Sequence, residues 1–374
     1  NNMKKFEKWI DELFLSTDIF LNKLRKDDHN YMFFPMEKNL TRYGEKLNLG
    51  FSCYALKIYY MLGLDEELST KDLDSWTQYI NSFQKPSDDF PKGSFIDENY
   101  LKYFSKKNYY YNYKFQIKNI LNDFNFSKGS SLESYINKGV LAESKQAIST
   151  LYQVGSSNSK PYQFMDANKE NIDSFLKSLN WNNPWDAGAQ FANISLFTSV
   201  DSSDNDENKQ ILLNYIEQLA SSDNGTYSMG NYQNTSQLIN GSMKVITGLD
   251  WLDENPHYPN KLIDQCLSVN PNSEGCDLVD YVYVLFKCSL ITDYRKTDIS
   301  DYFLQILKTI QLHYFDEGGF SYFKDSCQTH YYGVKFSKSS QSPDLHGTIL
   351  LIWAIAMIDE FFKKKDTRFK VIKP

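Results

Sequence analysis

Apolar residues recur at three- and four-residue spacing through almost the whole chain, and no long stretch alternates apolar with polar. Phe6, Ile10, Leu13 and Phe14 open the pattern. Residues 49–62 continue it, and Gly63 follows as a C-cap. Further helical stretches fall at 76–83, 111–124, 142–154, 172–179, 187–197 and 211–219, then at 238–249, 261–267, 278–290, 302–312 and 347–362. Breaker-rich loops separate them at 86–93, 155–161, 201–208, 270–275 and 337–343. About a dozen helices joined by such turns read as an all-α chain of stacked helical hairpins. Segment 201–208 is acidic and polar and is expected to be a mobile connection, but helices of one kind flank it, so 1–374 reads as one domain.

Composition removes several function classes. Apolar residues make up 41% and charged residues 23%, which excludes a disordered chain. The longest strongly apolar run, 349–358, is too short to cross a bilayer and fits a buried core helix. Forty basic residues against 47 acidic ones leave a charge of −7 with no basic stripe, so no nucleic-acid partner is expected. Five cysteines, odd in number and irregular in spacing, read as reduced thiols. Residues 1–11 carry no apolar run of the kind a leader needs, and a cytoplasmic location is expected. Oligomeric state is left open.

A weak internal repeat sharpens the architecture. Gln84 precedes Gly93-Ser94-Phe95, Gln218 precedes Gly225-Thr226-Tyr227, and Gln311 precedes Gly318-Gly319-Phe320. The spacings approach three and two units of roughly 45 residues, the range of helical-hairpin repeats. Glycine relieves the turn, the aromatic plugs the gap to the next hairpin, and glutamine is expected to bond freed backbone groups. Together with Asp316-Glu317 before Gly318, and Asp344-Leu345-His346-Gly347-Thr348 leading into an apolar helix, these turns resemble the repeats of the squalene-cyclase and protein-prenyltransferase β-subunit superfamily. The resemblance implies an (α/α) toroid of about six hairpins around a central funnel.

The chemistry of that superfamily is incomplete here. The Asp-x-Asp-Asp acid of the terpenoid cyclases does not occur. Asp280 matches the first zinc ligand of the prenyltransferases, but Val282 stands where the cysteine belongs and His346 falls one residue early. Cys327, His330, Asp344 and His346 have only loose ligand spacing, so no metal and no cofactor is expected. Phosphate-loop, dinucleotide and nucleophile-elbow motifs are missing as well.

Two clusters remain. In 181–190, Asn183 can cap a helix that starts at Pro184, and Asp186 suits its first turn. The same geometry would bring Trp185, Asn182, Asp186 and Gln190 to the funnel mouth, where an indole stacks on a sugar ring. The second cluster is His330, Tyr331, Tyr332, Asp344 and His346, joined by Asp277 and Asp280 from another helix start. Histidine and tyrosine move protons in sugar lyases and epimerases, and paired carboxylates do so in glycosidases. The leading expectation is an enzyme that treats a sugar or glycan by acid/base chemistry in an aromatic-lined cleft. Asp186, Asp280, Asp344 and His346 would handle protons, and Trp185, Asn182, Gln190, Tyr331, Tyr332 and His330 would hold the substrate. The alternatives are an isoprenoid-processing enzyme with a dry funnel and a non-catalytic scaffold of helical hairpins.

Overall fold

The computed structural model describes residues 3–26, 29–105, 132–165, 169–200, 205–229 and 234–374. In chain order its helices are α1 (Lys4–Leu24), α2 (Leu49–Met61), α3 (Thr70–Asn81), α4 (Glu98–Tyr103), α5 (Leu132–Gln153), α6 (Lys169–Ser178) and α7 (Pro184–Val200). They continue as α8 (Asn205–Glu217), α9 (Thr235–Trp251), α10 (Pro259–Leu267), α11 (Gly275–Ser289), α12 (Lys296–Gln311) and α13 (Leu345–Lys363). Two small antiparallel ribbons complete the described elements: β1 (Arg25–Lys26) with β2 (His29–Phe33), and β3 (His330–Tyr331) with β4 (Val334–Lys335).

Six helices close a ring. α2 packs on α5, α5 on α7, α7 on α9, α9 on α11, α11 on α13, and α13 back on α2. An outer layer covers it: α3 lies on α2 and α5, α8 on α7, α10 on α11, and α12 on α13, with α6 resting on α8. α1 seals the seam between the chain's two ends. Its Trp9 meets Tyr314 and Phe320 edge-on, and its Phe14 packs on Phe369. The fold is an all-α toroid of paired helices.

The pattern of apolar residues sorts inner from outer helices. In α2 every residue but Tyr60 is buried, and α11 and α13 are buried on nearly all sides. A helix apolar all round must be surrounded. α1 buries one stripe, from Phe6 through Ile10, Leu13 and Thr17 to Leu24, and leaves the rest wet, as an outer helix should. The stretch 345–366 is long and apolar enough to cross a membrane, but 72% of its most apolar window is buried inside the ring. It is a core helix.

The repeated turn is real, with one correction. Phe95, Tyr227 and Phe320 are each fully buried after glycines at positive φ, namely Gly93, Gly225, and Gly318 with Gly319. Each aromatic backbone N–H donates to a hydroxyl on the next inner helix: Phe95 to Ser144, Tyr227 to Ser242, and Phe320 to Thr348, at 3.0, 3.4 and 3.0 Å. Only Gln84 bonds freed backbone, through its amide to the carbonyls of Gly93 and Lys160. Gln218 and Gln311 are exposed, and Ala220 and Tyr314 take the bridging positions instead. Residues 205–208 open α8 rather than forming a loop, because Asp206 and Glu207 favour a helix N-terminus. Residues 201–204, and the helix expected at 111–124, lie outside the described residues.

The last residues cross the ring at the ends of its helices. The Lys370 backbone N–H donates to the Met61 carbonyl, that of Lys373 to the Gln153 side chain, and the Trp251 indole to the Pro374 carbonyl. Phe369 and Ile372 are buried beneath this strap.

α7 and α9 make the closest pair in the ring. A Cβ on Gly188 would lie 2.6 Å from the Gly241 carbonyl oxygen, and one on Gly241 would lie 2.7 to 2.8 Å from Pro184. We therefore expect Gly241→Ala to destabilise the protein by about 1–3 kcal/mol despite the better helix propensity of alanine. Urea unfolding of the variant beside the parent measures this; an unchanged midpoint would contradict the close approach.

Candidate functional site

The ring encloses a cavity of about 390 Å³ to which all six inner helices contribute. Trp185, Cys276 and His346, from the starts of α7, α11 and α13, line it together with the β3–β4 hairpin. Ile372 and Pro374 of the strap line it at the opposite end. A side pocket of about 330 Å³ opens between α5 and α7, bounded by Tyr135, Lys138, Asp186 and Gln190, and it shares Trp185 and Tyr332 with the main cavity.

A strained hairpin presents the tyrosines. Tyr332 and Gly333 both have positive φ, 41° and 84°, the geometry of a tight two-residue turn. Glycine takes this conformation freely, whereas tyrosine pays roughly 1–3 kcal/mol for it. The Tyr100 hydroxyl holds the turn by donating to the Tyr332 carbonyl at 3.0 Å. The Tyr331 hydroxyl donates to Glu143 Oε1 at 3.0 Å. Two helix glycines make room: a Cβ on Gly50 would collide with the Tyr331 hydroxyl, and one on Gly139 with that of Tyr100. Burial raises Glu143 well above the usual carboxyl range. Burial also raises Tyr332, which keeps its proton while 39% of its surface faces the open space.

His346 sits between two rings. Tyr54 lies parallel to it at 5.3 Å and 7°, and Tyr322 at 5.3 Å and 29°. Burial, assisted by the positive charge of Lys244, lowers its pKa to about 4, so the imidazole is neutral at pH 7. Behind it, burial and the Asp280 carboxylate push Cys276 up to about 12, which makes it an inert thiol.

Among the described residues the cavity wall carries three lysines, Lys57, Lys145 and Lys244, and neither aspartate nor glutamate. Burial lowers Lys57 to about 8. Burial, followed by repulsion from Lys244 and Lys57, lowers Lys145 to about 7. An acidic protein thus encloses a basic hollow.

The residues singled out in the sequence distribute unevenly around this hollow. His330, Tyr331, Tyr332, His346 and Trp185 line it. Asp186 and Gln190 line the side pocket, where Lys138 contacts both carboxylate oxygens at 3.2 Å and the Gln190 amide donates at 2.8 Å. Asn182 is exposed and lines neither space. Asp344 is fully buried, and its carboxylate accepts the backbone N–H groups of Gly347, Tyr322 and Gln328 at 2.7 to 3.0 Å. It caps α13 and pins the preceding loops. Asp280 is buried behind the wall with Oδ2 unpartnered, and burial raises its pKa to about 7. Cys327 faces Ser337 and Ser340, away from His346, and no three metal-ligating side chains cluster among the described residues.

Comparisons with known proteins are sparse. No family profile matches the sequence, and no curated protein is significantly similar to it. A solved polysaccharide lyase superposes with a TM-score of 0.45 at 10% identity, covering 96% of this chain and 98% of its own.

The lowered pKa of His346 has a direct thermodynamic consequence. The unfolded chain binds a proton near the ordinary histidine pKa of roughly 6.5, whereas the folded chain does so only near 4. Stability is therefore full above the unfolded value and falls as pH drops from there toward 4. Urea titrations between neutral and acid pH should show His346→Gln losing less stability on acidification than the parent. Equal losses would mean that the imidazole charges freely.

Proposed function

We propose that the protein is an enzyme that abstracts a proton beside the carboxylate of an acidic sugar unit, in a glycan or a smaller saccharide. The observation that carries this reading is the make-up of the cavity wall: lysines, histidines and tyrosines, with no aspartate or glutamate side chain among the described residues. A glycosidase of the usual kind needs two carboxylates facing its substrate, and the described wall residues offer neither aspartate nor glutamate. A dry isoprenoid funnel would not place three lysines in its lining. A scaffold would have no use for a strained tyrosine at the edge of a hollow.

The chain's own residues suit the steps. Lys244 would neutralise the sugar carboxylate and stabilise the negative charge that builds on it as the adjacent C–H bond breaks. His346, neutral at pH 7, would take that proton. Pairing Lys244 with an anion also offsets the repulsion that adds to burial in lowering His346, so substrate binding strengthens the base. The Tyr332 phenol would protonate the departing oxygen as the C–O bond breaks and the electron pair forms a double bond. Trp185 offers the stacking surface at the entrance. If the proton returned to the opposite face, the outcome would be epimerisation.

A panel of acidic polysaccharides tests this. Elimination yields a conjugated unsaturated product visible in the ultraviolet; epimerisation yields deuterium uptake from heavy water without cleavage; hydrolysis yields new reducing ends without unsaturation. We expect one of the first two. His346→Ala and Tyr332→Phe should each lower kcat by about 10²–10⁴, and Lys244→Met should raise KM and lower kcat as well. Hydrolysis, or turnover that survives His346→Ala, would sink the assignment.

A further inference from the structure

The strap end of the cavity takes no part in the proton transfers just described, yet it is polar in one sense only. Trp353 lies seven residues along α13 from His346, about 10 Å further down the helix at 1.5 Å per residue. Lys57, Lys145, Gln146 and Ser149 reach the same cavity from α2 and α5. Lys145 has neither hydrogen-bond nor ion-pair partner among the described residues. Lys57 spends one proton on the Ser149 hydroxyl at 2.8 Å. The Gln146 amide nitrogen and the Trp353 indole nitrogen are buried with no acceptor at all, and Trp353 is only 4% exposed. Burial raises the pKa of Glu143, the carboxyl nearest these groups on α5. Three helices thus supply donors to the lining of one cavity, and two of those donors, the Gln146 amide and the Trp353 indole, are buried without a partner, which is costly.

We propose that the floor of the central cavity, formed by Lys57, Lys145, Gln146 and Trp353, is a subsite for a compact tetrahedral oxyanion, a sulfate or phosphate ester. Donors supplied by three helices suit a group with three free oxygens better than a planar carboxylate with two. The site depends on the proposed function only for what carries the oxyanion, a substituent on the saccharide; the donors stand without it.

The test uses the intact protein and inorganic ions. Thermal melts and calorimetric titrations with sulfate and with phosphate are compared with chloride and acetate at equal ionic strength. We expect sulfate or phosphate to bind and to raise the melting temperature, while chloride and acetate do not. Lys145→Met should weaken binding about tenfold or more, and Trp353→Phe by less, as expected for loss of a charged and of a neutral donor. Below pH 7, where Lys145 is charged, Lys145→Met should also melt higher than the parent without ions, because it removes an unpartnered charge in the lining; a lysine needed only for packing would melt lower. Monosaccharide sulfates and monosaccharide phosphates then identify which ester binds. Equal responses to acetate and sulfate, or sulfate binding untouched by Lys145→Met, would overturn the subsite. His346→Ala should keep ion binding, so a failure of the enzymatic reading remains distinguishable from a failure of this one.

Discussion

Helices that are apolar on almost every side, α2, α11 and α13 above all, have to be enclosed, and this requirement organises the six-helix ring. Each can satisfy it by touching two ring neighbours and an outer partner, which is what the closed sequence from α2 round to α13 achieves. A ring of side-by-side helices cannot fill its own centre without very large side chains. The result is a hollow, and whatever polar groups the inner helices carry on their central faces are delivered to it.

Those polar groups are held with little freedom. Glycines in α2 and α5 leave space that the Tyr331 and Tyr100 hydroxyls occupy, and these tyrosines fix a hairpin that glycine alone would adopt without strain. His346 is clamped between two rings. Rigid placement of this kind costs stability at the site and is repaid by the packing of the outer layer. The electrostatics follow from the same enclosure: removal from water lowers the imidazole of His346, raises the phenol of Tyr332 and the carboxyl of Glu143, and lowers Lys57 and Lys145 as well.

Much of the architecture was legible in the sequence. The periodicity separated helices from turns, and the Gly-x-aromatic repeat marked where outer helices hand over to inner ones; the hydroxyls of Ser144, Ser242 and Thr348 that complete each turn lie too far along the chain to be read from it. The hollow was legible only in part. His346, Tyr331, Tyr332 and Trp185 stood in recognisable clusters, but Asp344 proved to have every oxygen engaged by backbone, which spacing cannot reveal. The lysines were missed although a signal existed. Lys57 and Lys244 each interrupt an otherwise apolar helix, and an isolated charge in a segment that must be buried points to a lined interior.

The seam sealed by α1 and the final strap also sets an order of events. The first inner helix meets its last neighbour only after nearly three hundred residues of intervening chain, and Phe14 waits still longer for Phe369. A nascent chain leaving the ribosome would therefore hold its greasiest helices half covered until α13 and the strap have emerged. Such distant closure slows folding and invites aggregation or chaperone capture in the interval.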